Sequence, residues 1–128
     1  MLSRLENIDQ FKFLICLDCE FTCWENSLEL EWSDPKFPPE VIQIGLSVYD
    51  VPAFTLLDEF ISYVSPTVNP TLSEYCKKLL NLTQSTVDNA ESFLAMVKNI
   101  AVFLHYYPPS RGLVCSFGPD WEKINADA

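Results

Sequence analysis

The hydrophobic patterns along these 128 residues predict an α/β fold with a mixed β-sheet, in the order β-β-β-α-β. Three observations carry this expectation. Three apolar or alternating segments come first, divided by turn residues. After Pro66 and Pro70 the apolar period changes from strand-like to helical. A short apolar segment then follows Pro108 and Pro109.

Residues 11–21, FKFLICLDCEF, are apolar until two carboxylates appear, the pattern of a strand buried on both faces of a sheet. Residues 22–39 hold Asn26, Asp34, Pro35, Pro38 and Pro39 and read as a loop. Residues 40–50, EVIQIGLSVYD, give a second strand. The turn at Asp50, Pro52 and Ala53 leads into a third, FTLLDEFISYV at 54–64, antiparallel to the second and completing a meander. Thr71-Leu72-Ser73-Glu74 reads as a capping box with Thr71 as the cap, opening a short helix that runs through Leu79. A further helical turn begins near Thr83. The best helix covers 90–106, where Phe93, Val97, Ile100 and Leu104 form one stripe. Residues 112–117, GLVCSF, read as a short buried strand, and a right-handed crossover sets it parallel to its neighbour. Residues 1–10 are taken as an N-terminal extension and 11–128 as one domain.

Composition narrows the function. Hydrophobic residues make up 48%, enough for a core and against global disorder. Eight Lys and Arg face 18 Asp and Glu, a formal net charge of −10, which excludes phosphate binding by a broad basic face. An acidic chain still acts on nucleic acid where divalent ions set the local charge. No apolar run approaches the ~20 residues that span a bilayer, and charges interrupt the N-terminus where a signal peptide needs an apolar stretch. The five cysteines, an odd number, argue against a secreted disulfide scaffold. The expected location is intracellular, cytoplasmic or nuclear, with no membrane partner.

Asp18 and Glu20 lie two apart near the end of the first strand, so their side chains share a face. Two carboxylates aimed at one spot repel unless something positive sits between them, and a hard cation with oxygen ligands suits the pair. The competing reading is a pair of acids marking the exposed end of a strand. Asp120, in Ser116-Phe117-Gly118-Pro119-Asp120-Trp121-Glu122, follows the last strand, where α/β proteins place ligands, and either completes an acidic cluster or caps a helix.

Asp18-Cys19-Glu20-Phe21-Thr22-Cys23-Trp24 resembles the first motif of the DEDD superfamily of 3′→5′ exonucleases, most like its enhanced-RNAi, histone-mRNA-type branch. The resemblance continues in order: Pro39-Glu40-Val41-Ile42-Gln43-Ile44-Gly45, then Tyr63-Val64-x-Pro66 with Leu72-Ser73-x-x-Cys76, then Leu82-Thr83-Gln84-x-x-Val87-Asp88-x-Ala90. It implies a ribonuclease H-like fold and a metal-dependent exoribonuclease that trims single-stranded RNA 3′ ends. It further implies two Mg²⁺ or Mn²⁺ ions held by four acids, with a histidine as general base. On that likeness Asp18 holds or bridges the metals, Glu20 ligates one and orients the attacking water, and Asp120 is the second-motif acid. Phe21, Thr22 and Trp24 border the nucleic acid.

The chain also departs from the pattern. Asp120 stands one place early, leaving Glu122 as the alternative acid. The last motif, a His and an Asp well beyond the second, is absent: six residues follow Glu122, and the one histidine, His105, precedes Gly118. The fold is therefore expected to be incomplete at the C-terminus and the chain weak or inactive alone. The alternative is a non-catalytic domain of the same fold that binds RNA or a protein partner, and a third option is an unrelated acidic α/β domain. Zinc at Cys16-x-x-Cys19 is disfavoured, since those positions face opposite ways on a strand. Trp24 is placed equally at a stacked base or at the core edge, Trp32 at the core edge, and Lys77 and Lys78 on a solvated helix face.

Overall fold

The structure, a computed structural model, describes residues 10–116. Strands β1 (Phe13–Phe21), β2 (Val41–Asp50) and β3 (Thr55–Tyr63) form an antiparallel meander. Helices α1 (Glu74–Leu80), α2 (Gln84–Asp88) and α3 (Phe93–Leu104) follow. A single 3₁₀ turn then leads into β4 (Gly112–Ser116). The sheet order is β3-β2-β1-β4, with β4 parallel to β1, so the predicted mixed sheet and crossover are both present.

One face of the sheet meets α3. Ile15, Leu17 and Cys19 from β1 and Ile44, Leu46 and Val48 from β2 alternate into a core that Val64 and Met96 complete. A second, smaller cluster joins Cys23, Ile42, Leu72, Cys76 and Val87 beneath α1 and α2. The other face of the sheet is open. Asp18 is exposed, and Leu14, Cys16 and Glu20 are half-buried. Strand β1 is therefore buried on one face rather than two. Its apolar run conceals an alternation, because the residues between Ile15, Leu17 and Cys19 include small or weakly polar ones that tolerate partial exposure.

Two helix details differ from expectation. The α1 cap is Ser73, not Thr71: its Oγ accepts from the Cys76 N–H at 3.0 Å and donates to the Cys23 carbonyl at 2.7 Å. A hydroxyl that closes the helix and ties it to the chain leaving β1 satisfies more groups than one that only caps. In α3, whose cap is Ser92, the fully buried residue is Met96, flanked by Phe93, Ile100 and Phe103, whereas Val97 is 39% exposed. Phe93, Ile100 and Leu104 of the predicted stripe pack on the core, while Met96 takes the place of Val97 and Phe103 joins them, meeting Phe60 on β3 at 5.4 Å between ring centroids.

Candidate active site

The β1–β2 register places the acidic pair. Asp18 lies opposite Gly45 and Glu20 opposite Gln43. All four positions line an open-sided cavity of about 650 Å³ over the free sheet face, together with Cys16, Ser47, Glu59 and Cys115. Asp18 and Glu20 thus share one pocket, as their spacing requires. Gly45 leaves the space above Asp18 clear: a Cβ there would meet only the Asp18 and Phe60 carbonyls, at 3.9 and 4.0 Å. A side chain at position 45 therefore fits the backbone but fills the cavity. The ladder shifts register between Glu20 and Phe21, where Phe21 pairs with Val41. Such a bulge bends a strand and re-aims its side chains. Here the unmatched residue is Ile42 on β2, so the distortion falls on β2 opposite the second carboxylate and sends Ile42 into the second cluster.

Glu20 also lines a second cleft, of about 180 Å³, with Phe21, Cys23, Trp24, Trp32, Tyr75 and Leu79 among its walls. It stands at the junction of an acidic cavity and an aromatic one. The charge of Glu20 is felt inside the protein, where it raises both the Cys23 and the Cys76 thiol. The stronger influence on each is the other thiol: their mutual interaction moves Cys76 down to about 7 and pushes Cys23 well above the ordinary thiol range.

Thr22, expected beside nucleic acid, is turned inward. It is 2% exposed, its hydroxyl donates to the Pro38 carbonyl at 3.1 Å and its Oγ accepts from the Glu40 N–H at 2.9 Å. Its amide donates to the Glu40 carbonyl at 2.8 Å. Thr22 closes the base of the loop between β1 and β2, and the physical reason is that two buried backbone groups there need partners. Trp24, half-buried, lies 4.8 Å from Phe37 between ring centroids. Trp32 packs on the second cluster and donates Nε1–H to the Thr22 carbonyl at 3.0 Å, as a core-edge residue should. Lys77 pairs with Glu74, and Lys78 is solvated. His105 caps the exposed end of α3. Cys16 faces the open cavity and Cys19 the core, so no zinc pair forms there. Asp120 and Glu122 lie outside the described residues.

The sequence reading missed Gln43, Gly45 and Ser47, although their alternation with Ile44, Leu46 and Val48 marks the open face of β2. It also missed Tyr75 and Leu79, spaced four apart on α1 and both exposed at the cleft beside Glu20.

Residues 15–107 match the exonuclease family, and they include Asp18, Glu20 and every wall of the cleft beside Glu20. The chain belongs to that family. Among curated family members, the fission yeast (Schizosaccharomyces pombe) 3′-5′ exonuclease eri1 is 36% identical over 99 residues, covering 77% of this chain and 31% of the relative. Human 3′-5′ exoribonuclease 1 is 31% identical over 101 residues, covering 78% and 27%. The chain thus spans less than a third of these two relatives. In fold it is similar to the nuclease domain of 3′hExo, a DEDDh family member solved bound to rAMP, with a TM-score of 0.79 at 24% identity, covering 89% of this chain and 56% of that one. The fold is that of the DEDDh exonucleases, a mixed α/β sheet with helices, as the resemblance implied.

Among the described residues no group of three or more His, Cys, Asp or Glu is arranged to hold a metal ion. The acidic cavity offers Asp18 and Glu20, with Glu59 also in its wall and room beside them. That donor set suits a hard divalent cation as part of a shell.

Proposed function

We propose that this domain serves a metal-dependent 3′→5′ exoribonuclease that removes nucleotides from single-stranded RNA 3′ ends. The observation that carries the reading is the position of Glu20, shared between the carboxylate cavity and the aromatic cleft. Asp18 and Glu20 would hold Mg²⁺ or Mn²⁺, with Asp120 as a further acid. When bound, such ions supply a lowered pKa for water and charge stabilisation for the leaving oxygen. Glu20 would orient the attacking water. Trp24 lines the cleft beside Glu20 and would stack on the terminal base, an interaction worth about 1–3 kcal/mol per base, with Phe21, which also packs on the core, at its border. The names of the similar relatives, exonuclease and exoribonuclease, support the same reading.

The chain's single histidine is His105, far along the chain from a general base placed after the second motif. Lost general-base assistance commonly costs about 10²–10⁴-fold in rate, so a site of this kind working without that base trims RNA slowly. A second reading, a domain of this fold that binds RNA or a protein without cutting, is favoured by the place of His105 at the exposed end of α3, where it lines neither the carboxylate cavity nor the cleft beside Glu20. The five free thiols fit the reducing interior of a cell, cytoplasm or nucleus, which we propose as its location.

Calorimetric titration with Mn²⁺ tests the metal assignment. Asp18→Asn should abolish uptake while leaving the circular dichroism unchanged; unchanged uptake would refute it. In parallel, a 3′-labelled single-stranded RNA incubated with Mn²⁺ separates the two readings. Slow trimming lost in Asp18→Asn supports the nuclease, and RNA retention without trimming supports the binding domain.

A further inference from the structure

The loop between β1 and β2 builds a further hollow that shares Trp24 with the cleft beside Glu20. This cleft, of about 450 Å³, is walled by Trp24, Trp32, Phe37 and Tyr75, with Glu25 and Asp34 beside them and no Lys or Arg in its lining. Its volume falls within the ~300–1,000 Å³ typical of small-ligand pockets.

The loop is internally tied. Trp24 N–H donates to Ser27 Oγ at 2.7 Å, Trp32 N–H to the Ser27 carbonyl at 3.0 Å, and Phe37 N–H to the Asp34 carbonyl at 3.0 Å. Glu31 and Trp32 both adopt positive φ, 50° and 53°, a conformation that side-chain-bearing residues avoid. Consecutive strained residues persist where the surroundings enforce them. Here they accompany an indole that packs on the second cluster and donates Nε1–H to the Thr22 carbonyl at 3.0 Å. The Asp34 carboxylate accepts from the Lys36 N–H at 3.0 Å, which fixes the acid at the rim.

Aromatic faces carry negative quadrupole potential, and two carboxylates strengthen it. A phosphate is repelled from such a cleft and a neutral base gains only stacking. A ligand that is both flat and positively charged gains from each feature. We propose that this cleft binds a planar organic cation, an N-methylated purine nucleobase of the N7-methylguanosine type. The choice of a nucleobase over a quaternary ammonium rests on the RNA reading above and on the shared walls: Trp24, Trp32 and Tyr75 also border the cleft beside Glu20. The volume, too, exceeds what one ammonium head fills.

The test is tryptophan-fluorescence titration of the 128-residue chain, without divalent metal, using N7-methylguanosine, guanosine and a trimethyllysine peptide. N7-methylguanosine should bind at least about tenfold more tightly than guanosine. The preference should vanish in the double variant Glu25→Gln, Asp34→Asn. Phe37 lines only this cleft of the two and Leu79 only the other. Phe37→Ala should therefore weaken binding, and Leu79→Arg should leave it unchanged. Asp18→Asn should also leave it unchanged, so a failed metal assignment would not look like failure here. Equal affinity for both nucleosides, a preference that survives loss of both acids, sensitivity to Leu79→Arg rather than Phe37→Ala, or tighter binding of the trimethyllysine peptide would each overturn the proposal.

Discussion

The thiols of Cys23 and Cys76 show how one contact sets the chemistry of a side chain. Cys76 is lowered to about 7 chiefly by its interaction with Cys23, against burial and the charge of Glu20, which raise it. Because that value lies below the ordinary 9.0, ionisation of Cys76 adds to stability as pH rises from about 7 toward 9, and the gain is absent below about 7. Cys23 is pushed upward and stays protonated through this window. Ultraviolet absorbance should reveal one buried thiolate forming near neutrality, and Cys23→Ala should move that titration upward. A profile unchanged in the variant would show that another group sets it. Neither thiol declared this in the sequence, where positions 23 and 76 read simply as small apolar residues. Their pairing depends on β1 delivering its exit beside α1.

Helix α1 shows what local chemistry settles and what it leaves to its surroundings. Its C-terminus stops at Asn81, which adopts φ 53° and ψ 45° and donates its N–H to the Lys77 carbonyl. Only glycine and asparagine take that conformation cheaply, so Asn81→Ala should cost about 1 kcal/mol, whereas Asn81→Gly should cost nothing. Urea midpoints check both variants. The N-terminus was less legible: the capping-box pattern pointed to Thr71, and the cap is Ser73. The choice fell to Ser73 because its hydroxyl also reaches Cys23, 50 residues earlier in the chain. Gln84 secures the same segment, accepting from the Leu72 N–H at 2.8 Å and donating to the Pro70 carbonyl at 2.8 Å. These links hold Tyr75 and Leu79 at the cleft beside Glu20.

The molecule as a whole is a four-stranded sheet with its core on one face and its acidic cavity on the other. Met96 stands at the middle of the covered face, with 0% exposure. Met96→Ala should therefore destabilise the fold by about 2–5 kcal/mol, measured by thermal or urea unfolding, with the open-face carboxylates still in register. A loss below about 1 kcal/mol would mean that α3 packs more loosely than its contacts indicate. The open face also displays Ile61, 66% exposed, and Tyr63, 37% exposed, beside the carboxylates. An apolar margin around an acidic centre suits a ligand that brings both base and phosphate.

The succession of elements, the meander and the shared face of Asp18 and Glu20 were readable from spacing, because strand and helix periods are properties of the backbone alone, whereas the pairing of β4 with β1 was not. Which way each face would turn was not readable. The run in β1 looked buried throughout, and only packing against α3 made one side core and the other site. The same holds for Thr22, whose place in a motif pointed outward while two unsatisfied backbone groups drew it inward. The aromatic clefts likewise arise from residues 24–37 folding back onto α1, a long-range contact that no local period encodes.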